Sequence, residues 1–218
     1  HPKSKETECE ECPAGFSQPT VGLAYCLPCT PGRFQSTTKQ SVCAECVTGE
    51  HRRESQQTSC EKCQRGKYAN EKGLVQCFKC LPGQIQEEEG KTECDKCAVG
   101  KHQDVSGQDE CKECGAGKYS DDQGLVGCLK CAAGTTENDA GSTSCKICSR
   151  GTFIATLESK KGDCNSCPEG TGNSNDGSSA CGPNPVGSYM TSDGVDFITC
   201  PEGHFCKGQA HDKQKCPP

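Results

Sequence analysis

The most regular feature of the hydrophobic pattern is the spacing of its cysteine pairs, because no other apolar residues recur at so fixed an interval. Nine C-x-x-C pairs follow one another at a constant interval of seventeen positions, and they begin at Cys9, Cys26, Cys43, Cys60, Cys77, Cys94, Cys111, Cys128 and Cys145. A tenth pair, Cys164 and Cys167, follows after a slightly longer interval. Cys181 lies one regular interval beyond Cys164, with Asn184 in the place of its partner. Such a fixed period predicts a tandem array of small structural units.

Glycine occupies two fixed places in the unit. The seventh position is always glycine: Gly15, Gly32, Gly49, Gly66, Gly83, Gly100, Gly117, Gly134, Gly151 and Gly170. The fourteenth is glycine in seven of the ten units: Gly22, Gly73, Gly90, Gly107, Gly124, Gly141 and Gly177. The seventh position predicts a positive φ or a close approach of the chain to a cystine, and the fourteenth predicts a turn. Two glycines per unit leave no uninterrupted helical face, so each unit is expected to be a short hairpin-like loop.

A second, 51-residue period, equal to three units, overlies the first. Every third unit ends in Gly-Leu-Ala or Gly-Leu-Val, and the next unit opens with Cys-Leu or Cys-Phe. If successive units rotate by about a third of a turn, these side chains form one stripe that is available for assembly. The stripe residues are Leu23, Leu27, Leu74, Phe78, Leu125 and Leu129. Alternatively, each apolar pair covers its own disulfide, as in small domains that bury few residues.

Composition explains why the cysteines matter. The chain has 24 Cys among 218 residues, whereas Leu, Ile, Val and Phe together number only 26 and Trp is absent. An apolar fraction this low, below about 20 %, cannot offset the entropy of ordering a chain. Disulfides that close loops of about 15 residues each remove about 3 kcal/mol of unfolded-state entropy, so cystines are predicted to replace the hydrophobic core.

Disulfides persist in oxidising compartments, so the sequence predicts a secreted or cell-surface protein. No apolar run approaches the roughly 18 residues of a membrane span, so direct membrane insertion is not expected. The net charge of −6 is spread along the chain and argues against nucleic acid as a partner. No Asn-x-Ser/Thr sequon is present, so O-linked glycans on loop Ser and Thr are the glycosylation we expect.

Two disulfide connectivities fit the spacing, and sequence alone does not decide between them. The crossed scheme joins neighbouring pairs two by two and requires an even number of units per module, which conflicts with the 51-residue period. The sequential scheme treats every unit alike, and we favour it. It joins Cys12 with Cys26, Cys29 with Cys43, Cys46 with Cys60, Cys63 with Cys77, Cys80 with Cys94, Cys97 with Cys111, Cys114 with Cys128, Cys131 with Cys145, Cys148 with Cys164 and Cys167 with Cys181.

The unit C-x-x-C-x-x-G-x-Y, plainest at residues 60–68 and 111–119, resembles the ephrin-receptor-like cysteine-rich repeat. That family is akin to tumour-necrosis-factor-receptor and EGF-like modules, and the resemblance covers residues 9–181. The segment 200–206, Cys-Pro-Glu-Gly-His-Phe-Cys, is similar to segments beside such repeats in large extracellular proteins of protists and algae. The resemblance implies an elongated extracellular rod with an adhesive, receptor or scaffolding role. Long arrays of near-identical units are most similar to the material of surface appendages such as flagellar mastigonemes.

Zinc is the main competing chemistry, because paired C-x-x-C motifs resemble thiolate zinc sites. The many evenly spaced pairs and the isolated cysteines favour disulfides, so no metal and no cofactor are predicted. Thiol redox catalysis requires a βαβ context that the sequence lacks. The five histidines accompany no recognisable nucleophile motif, although His51 and His102 share one repeat position with Phe153. We therefore predict that the protein is not an enzyme.

The sequence thus predicts a small disulfide-rich, loop-rich fold with short β-ladders, in which the 17-residue repeats form an elongated rod. Residues 1–8 lead in from an upstream segment, residues 9–181 hold ten repeats, and residues 182–218 form a C-terminal cysteine-rich module. Each unit is expected to need only its neighbours. The expected function is that of a structural rod whose partners are copies of itself or other filament subunits. The alternative is a receptor or adhesin ectodomain that binds a protein ligand.

Overall fold

The computed structural model describes residues 11–155, 163–206 and 213–215. These residues form 24 short β-strands arranged as twelve two-stranded antiparallel sheets, and they contain no helix. The described residues therefore include no helix that could cross a membrane. The chain divides into two compact units, His1–Cys97 with Gln103–Cys111, and Ala98–His102 with Lys112–Pro218.

In the first compact unit, each odd-numbered strand pairs with the strand that follows it. The strands are β1 (Phe16–Ser17), β2 (Leu27–Pro28), β3 (Arg33–Phe34), β4 (Ala44–Glu45), β5 (Glu50–His51), β6 (Glu61–Lys62), β7 (Lys67–Tyr68), β8 (Phe78–Lys79), β9 (Gln84–Ile85) and β10 (Asp95–Lys96).

The second compact unit continues the same pairing. Its strands are β11 (Lys101–His102), β12 (Lys112–Glu113), β13 (Lys118–Tyr119), β14 (Leu129–Lys130), β15 (Thr135–Thr136), β16 (Lys146–Ile147), β17 (Thr152–Phe153), β18 (Asn165–Ser166), β19 (Thr171–Gly172), β20 (Gly182–Pro183), β21 (Ser188–Met190), β22 (Phe197–Thr199), β23 (His204–Cys206) and β24 (Lys213–Lys215).

Each of the first nine sheets along the chain joins one repeat to the next. The eighth and ninth residues of a repeat pair with the third and second residues of the following one, as Lys67 pairs with Lys79 and Tyr68 with Phe78. A tight turn precedes each first strand, and in one of them the Lys67 N–H donates to the Gln64 carbonyl at 3.1 Å. The predicted fold class, disulfide-rich and loop-rich with short β-ladders, is confirmed.

The cysteines pair by the sequential scheme, and the crossed scheme is not formed. The bonds are Cys12–Cys26, Cys29–Cys43, Cys46–Cys60, Cys63–Cys77, Cys80–Cys94, Cys97–Cys111, Cys114–Cys128, Cys131–Cys145, Cys148–Cys164 and Cys167–Cys181. An eleventh disulfide joins Cys200 to Cys206, whereas Cys9 and Cys216 lie outside the described residues. The fourth-position cysteines of the first nine repeats are buried, several of them completely, so they take the place of a hydrophobic core.

The seventh-position glycines all have positive φ, between 75° and 86°, as predicted. Fourteenth-position residues share this backbone conformation: where glycine is missing there, Lys39 and Gln56 adopt φ of 62° and 63°. These two are the non-glycine residues with positive φ in the part of the chain that the structure describes. The backbone requirement therefore belongs to the position, and glycine meets it with the least strain.

Backbone hydrogen bonds join each repeat to the next, but close contacts reach further. The Gly49 N–H donates to the Ala69 carbonyl at 2.8 Å, and the Gly73 N–H donates to the Cys46 carbonyl at 2.8 Å. The seventh-position glycine also lies against the fourteenth-position peptide two repeats further on, as Gly32 does against Gly73. The expectation that each repeat needs only its neighbours is therefore wrong, and the close approach at this glycine is to backbone rather than to a cystine.

Residues that follow Cys181 keep the backbone geometry of the repeat. Gly187 and Gly194 fall at the seventh and fourteenth positions and have φ of 80° and 72°. The Cys200 N–H donates to the Gly187 carbonyl at 2.8 Å, as the Cys80 N–H does to Gly66 at 2.9 Å. The turn and ladder therefore form here without the usual disulfide. The domain boundaries given above stay a prediction.

Candidate functional site

The predicted stripe residues occupy two kinds of place in the hairpins. Leu27, Phe78 and Leu129 lie on the second strand of their hairpins and are 37 %, 45 % and 43 % exposed. The other three members, which come just before the same cysteines, are half-buried: Leu23, Leu74 and Leu125. In the first compact unit the Phe78 ring packs against Tyr68, with ring centroids 5.7 Å apart and planes tilted by 43°. The side chains of Leu27, Phe78 and Leu129 thus keep a large part of their surface accessible to water.

Two of the five histidines lie against cystines. In one cluster, ligand atoms of His51, Cys63 and Cys77 lie within 4.8 Å of one another. In the equivalent cluster three repeats later, the Nδ1 atom of His102 lies 3.1 Å from the Sγ atom of Cys128. Each sulfur belongs to a disulfide, whereas zinc binds thiolate, so these atoms become a ligand set only after reduction to thiols.

The tenth position of the repeat, whose role the sequence analysis missed, is buried or half-buried in every repeat. Where the residue is glutamine, its side chain closes the second half of the loop. Gln103, only 1 % exposed, donates from Nε2 to the Glu110 carbonyl at 2.6 Å and accepts the Val105 N–H at Oε1 at 3.1 Å. Gln86 makes the equivalent bonds to the Glu93 carbonyl and the Glu88 N–H. This side chain therefore clamps the loop that leads to the next cysteine.

A carboxylate makes the accepting half of this clamp in one repeat. Glu137 is buried and accepts the N–H groups of Asn138 and Asp139 at 2.9 and 3.0 Å, while Lys146 lies 3.3 Å away. The hydrogen bond from the Asp139 backbone, followed by the Lys146 contact, lowers the pKa of Glu137 although burial opposes this shift. The charged carboxylate is therefore the form that the loop stabilises.

No compositional signal identified the tenth position, because its residue varies in size, polarity and charge. The residues found there are Gln18, Gln35, Arg52, Ala69, Gln86, Gln103, Ser120, Glu137, Ile154 and Asn173. The recurrence of glutamine at this one position is the signal that could have indicated the clamp.

A cavity of about 650 Å³ opens beside β5 to β8 in the first compact unit. Five cationic side chains line it: Arg52, Arg53, Lys62, Lys67 and Lys79. Its two acidic residues are Glu54 and Glu61. The sequence analysis did not identify this cluster, because its charges come from residues of three successive repeats.

Two stretches of the chain match a protein-family model, that of the tyrosine-protein kinase ephrin type A/B receptor-like family. The matches cover residues 66–107 and 100–144. Residues 66–144 are thus similar to ephrin-receptor-like cysteine-rich repeats. The resemblance inferred from the C-x-x-C-x-x-G pattern is therefore confirmed over this part of the chain. No curated protein matches the chain.

The ephrin-receptor-like segment contains the loop clamp, exposed stripe residues and part of the cationic cavity. It includes the Gln103 clamp, the Phe78 and Leu129 side chains and the Lys67 and Lys79 ladder pair. Repeats on either side of the segment have the same turns and the same disulfide spacing, except that Cys148–Cys164 has a separation of 16 rather than 14. A cysteine-rich repeat domain of extracellular type is the function class that these findings support.

Proposed function

We propose that this protein is a non-catalytic extracellular structural element that associates laterally with copies of itself in a filament or surface appendage. Its repeats are stabilised by a disulfide at every junction rather than by a hydrophobic core, which suits a stiff rod. The observation that carries the proposal is the exposure of Leu27, Phe78 and Leu129 at one repeated strand position.

These side chains are exposed although the fold has few apolar residues to bury. Phe78 keeps 45 % of its surface accessible even while it packs on Tyr68. Removing apolar surface from water contributes about 25 cal/mol per Å², so each of these side chains gains free energy by docking on a second molecule. The 51-residue spacing gives one such contact every three repeats, and the contributions add along a pair of chains.

The experiment is a sedimentation series over protein concentration, with the native disulfides intact. Replacing Phe78 and Leu129 with Ser should weaken self-association at least tenfold, because two docking contacts are lost. The matched control replaces Leu81 and Ile147 with Ser: both are 64 % exposed and lie outside the stripe. Circular dichroism and mass spectra before and after reduction check that each variant is folded with its disulfides formed.

Two results would contradict the proposal. If the control variant loses association as strongly as the stripe variant, the stripe has no special role. If the wild-type chain remains a monomer at every concentration, lateral assembly fails, and the receptor or adhesin ectodomain becomes the better description. In that case the exposed side chains would bind a different protein, which is the second candidate function.

A further inference from the structure

The cavity beside β5 to β8 has an excess of positive charge on a chain whose net charge is −6. Arg52 is neutralised, because its guanidinium forms an ion pair with Glu61 at 2.6 Å and bonds Gln57. The remaining cations that line the cavity are Arg53, Lys62, Lys67 and Lys79, and Glu54 is the remaining acid. Glu50 lies across the ladder from Lys62 without lining the cavity. An anionic ligand would balance the remaining charge.

Lys67 and Lys79 lie directly opposite each other in the β7–β8 pair. Like charges at opposed ladder positions destabilise a hairpin, whereas opposite charges stabilise it. Another charged ladder pair of this compact unit follows the favourable rule, since Arg33 lies opposite Glu45 and contacts it at 2.6 Å. Among the described residues, Lys67 bonds the neutral Gln64, and neither lysine has an acidic partner.

Equivalent positions in the second compact unit provide an internal comparison. Lys118 and Lys130 form the same opposed pair three repeats later. The charges at the other equivalent sequence positions differ, however, because the residues 51 positions after Arg52, Arg53 and Lys62 are Gln103, Asp104 and Glu113. The concentration of positive charge is therefore particular to the first cavity and is not a general property of the repeat.

We infer that this cavity binds an acidic polysaccharide, whose sulfate or carboxylate groups bridge Lys67 and Lys79 and contact Arg53 and Lys62. The cations are on long, flexible side chains spread along an open cavity of about 650 Å³, which suits a chain of repeated anionic groups rather than one compact anion. A chain with disulfides at every repeat belongs to oxidising compartments, where acidic polysaccharides are abundant polyanions.

The test measures binding of the full native chain to dextran sulfate, with uncharged dextran as the matched polymer. At low salt, wild-type protein should bind dextran sulfate but should not bind uncharged dextran. Lys67→Gln with Lys79→Gln should weaken binding about tenfold, as expected for the loss of two exposed ion pairs. The control, Lys118→Gln with Lys130→Gln, removes the same charge at the same ladder positions and should change affinity less than about twofold. Raising NaCl to about 1 M should abolish binding.

Three outcomes would overturn the inference. Equal weakening by the two double variants would show attraction to overall charge rather than to the cavity. Binding of polyglutamate as tight as that of dextran sulfate would favour an acidic protein segment as the occupant. Failure of wild-type protein to bind any polyanion at low salt would exclude the site. Binding is read at a protein concentration where the chain is monomeric, so it is independent of self-association.

Discussion

The α-carbon of Gly66 lies against the peptide carbonyl of Gly107, two repeats further along the chain. A Cβ atom on Gly66 would lie 2.6 Å from the Gly107 carbonyl carbon, a distance that real Cβ atoms do not show. The same contact recurs at Gly49 with Gly90. These glycines therefore serve two purposes, a positive φ and an approach of two backbones that no side chain permits.

Gly66→Ala should destabilise the protein by more than about 3 kcal/mol. An alanine in the left-handed backbone region costs about 1–2 kcal/mol, and the backbone must also move away from Gly107 to make room for the Cβ atom. Gly22→Ala is the matched control, since Gly22 has φ of 88° and nothing within 4 Å of its added Cβ. The control should lose only about 1–2 kcal/mol. Chemical denaturation with intact disulfides measures both changes, and equal losses would show that the contact costs nothing.

Much of this architecture was predictable from the sequence, because its determinants are single residue types at fixed spacing. Cysteine and glycine reveal the junctions and turns directly, and the hairpins follow from them. The contact between repeats two apart was not predictable, since Gly66 and Gly107 each have a sufficient local explanation as turn residues. Their approach depends on the translation and rotation from one repeat to the next, which the residue pattern does not specify.

The candidate sites were predictable only in part, for a similar reason. Phe78 was identified because it recurs in the 51-residue period, whereas Gln103 was not, because Ala69 and Ile154 occupy the same position in other repeats. From Gln35 to Asn173 the carbonyl at that position always accepts the N–H of the seventh-position glycine of the preceding repeat, but its side chain is free to vary. The cationic cavity was also missed, since the one-dimensional charge pattern does not show that Lys67 faces Lys79.

Gln103→Met tests the loop clamp. Methionine has a similar length and volume but removes the bonds to the Glu110 carbonyl and the Val105 N–H, which lie in a partly buried loop. Leaving such groups unsatisfied costs about 1–3 kcal/mol, and we expect a loss of stability in that range. The control is Gln76→Met at an exposed position, where the change should stay within about 0.5 kcal/mol. A neutral result at Gln103 would mean that the clamp does not stabilise the loop.

Glu137 makes the stability of the second compact unit depend on pH. Its pKa is lowered in the folded protein, chiefly by the Asp139 N–H and then by Lys146, so the stability it contributes is complete above the pKa of an unfolded glutamate, about 4.3. That contribution is lost as the pH falls through the lower folded value. Glu137→Gln keeps an acceptor oxygen but removes the charge. The free energy of unfolding of the wild type should therefore exceed that of the variant, and this difference should be larger at pH 7 than at pH 3.

Denaturation midpoints between pH 7 and pH 3 measure this difference. Glu87→Gln is the control for net charge, because Glu87 is exposed. A wild-type advantage over Glu137→Gln that stays constant down to pH 3 would contradict the role of the ionised carboxylate. The hydrogen bonds from the N–H groups of Asn138 and Asp139 remain possible in this variant, because the glutamine oxygen can accept them.

Asn184 occupies the place of a cysteine, and its side chain is buried to 7 % exposure. Within the described residues, neither its amide nitrogen nor its amide oxygen has a hydrogen-bond partner. A buried amide without partners costs about 1–3 kcal/mol, so Asn184→Leu, which keeps the branched side-chain skeleton without its polar atoms, should raise the free energy of unfolding by about 1 kcal/mol. The control is Asn70→Leu at an exposed position, which should change stability by less than about 0.5 kcal/mol. Thermal and chemical denaturation of both variants check this, and a loss of stability in Asn184→Leu would mean that solvent already satisfies the amide.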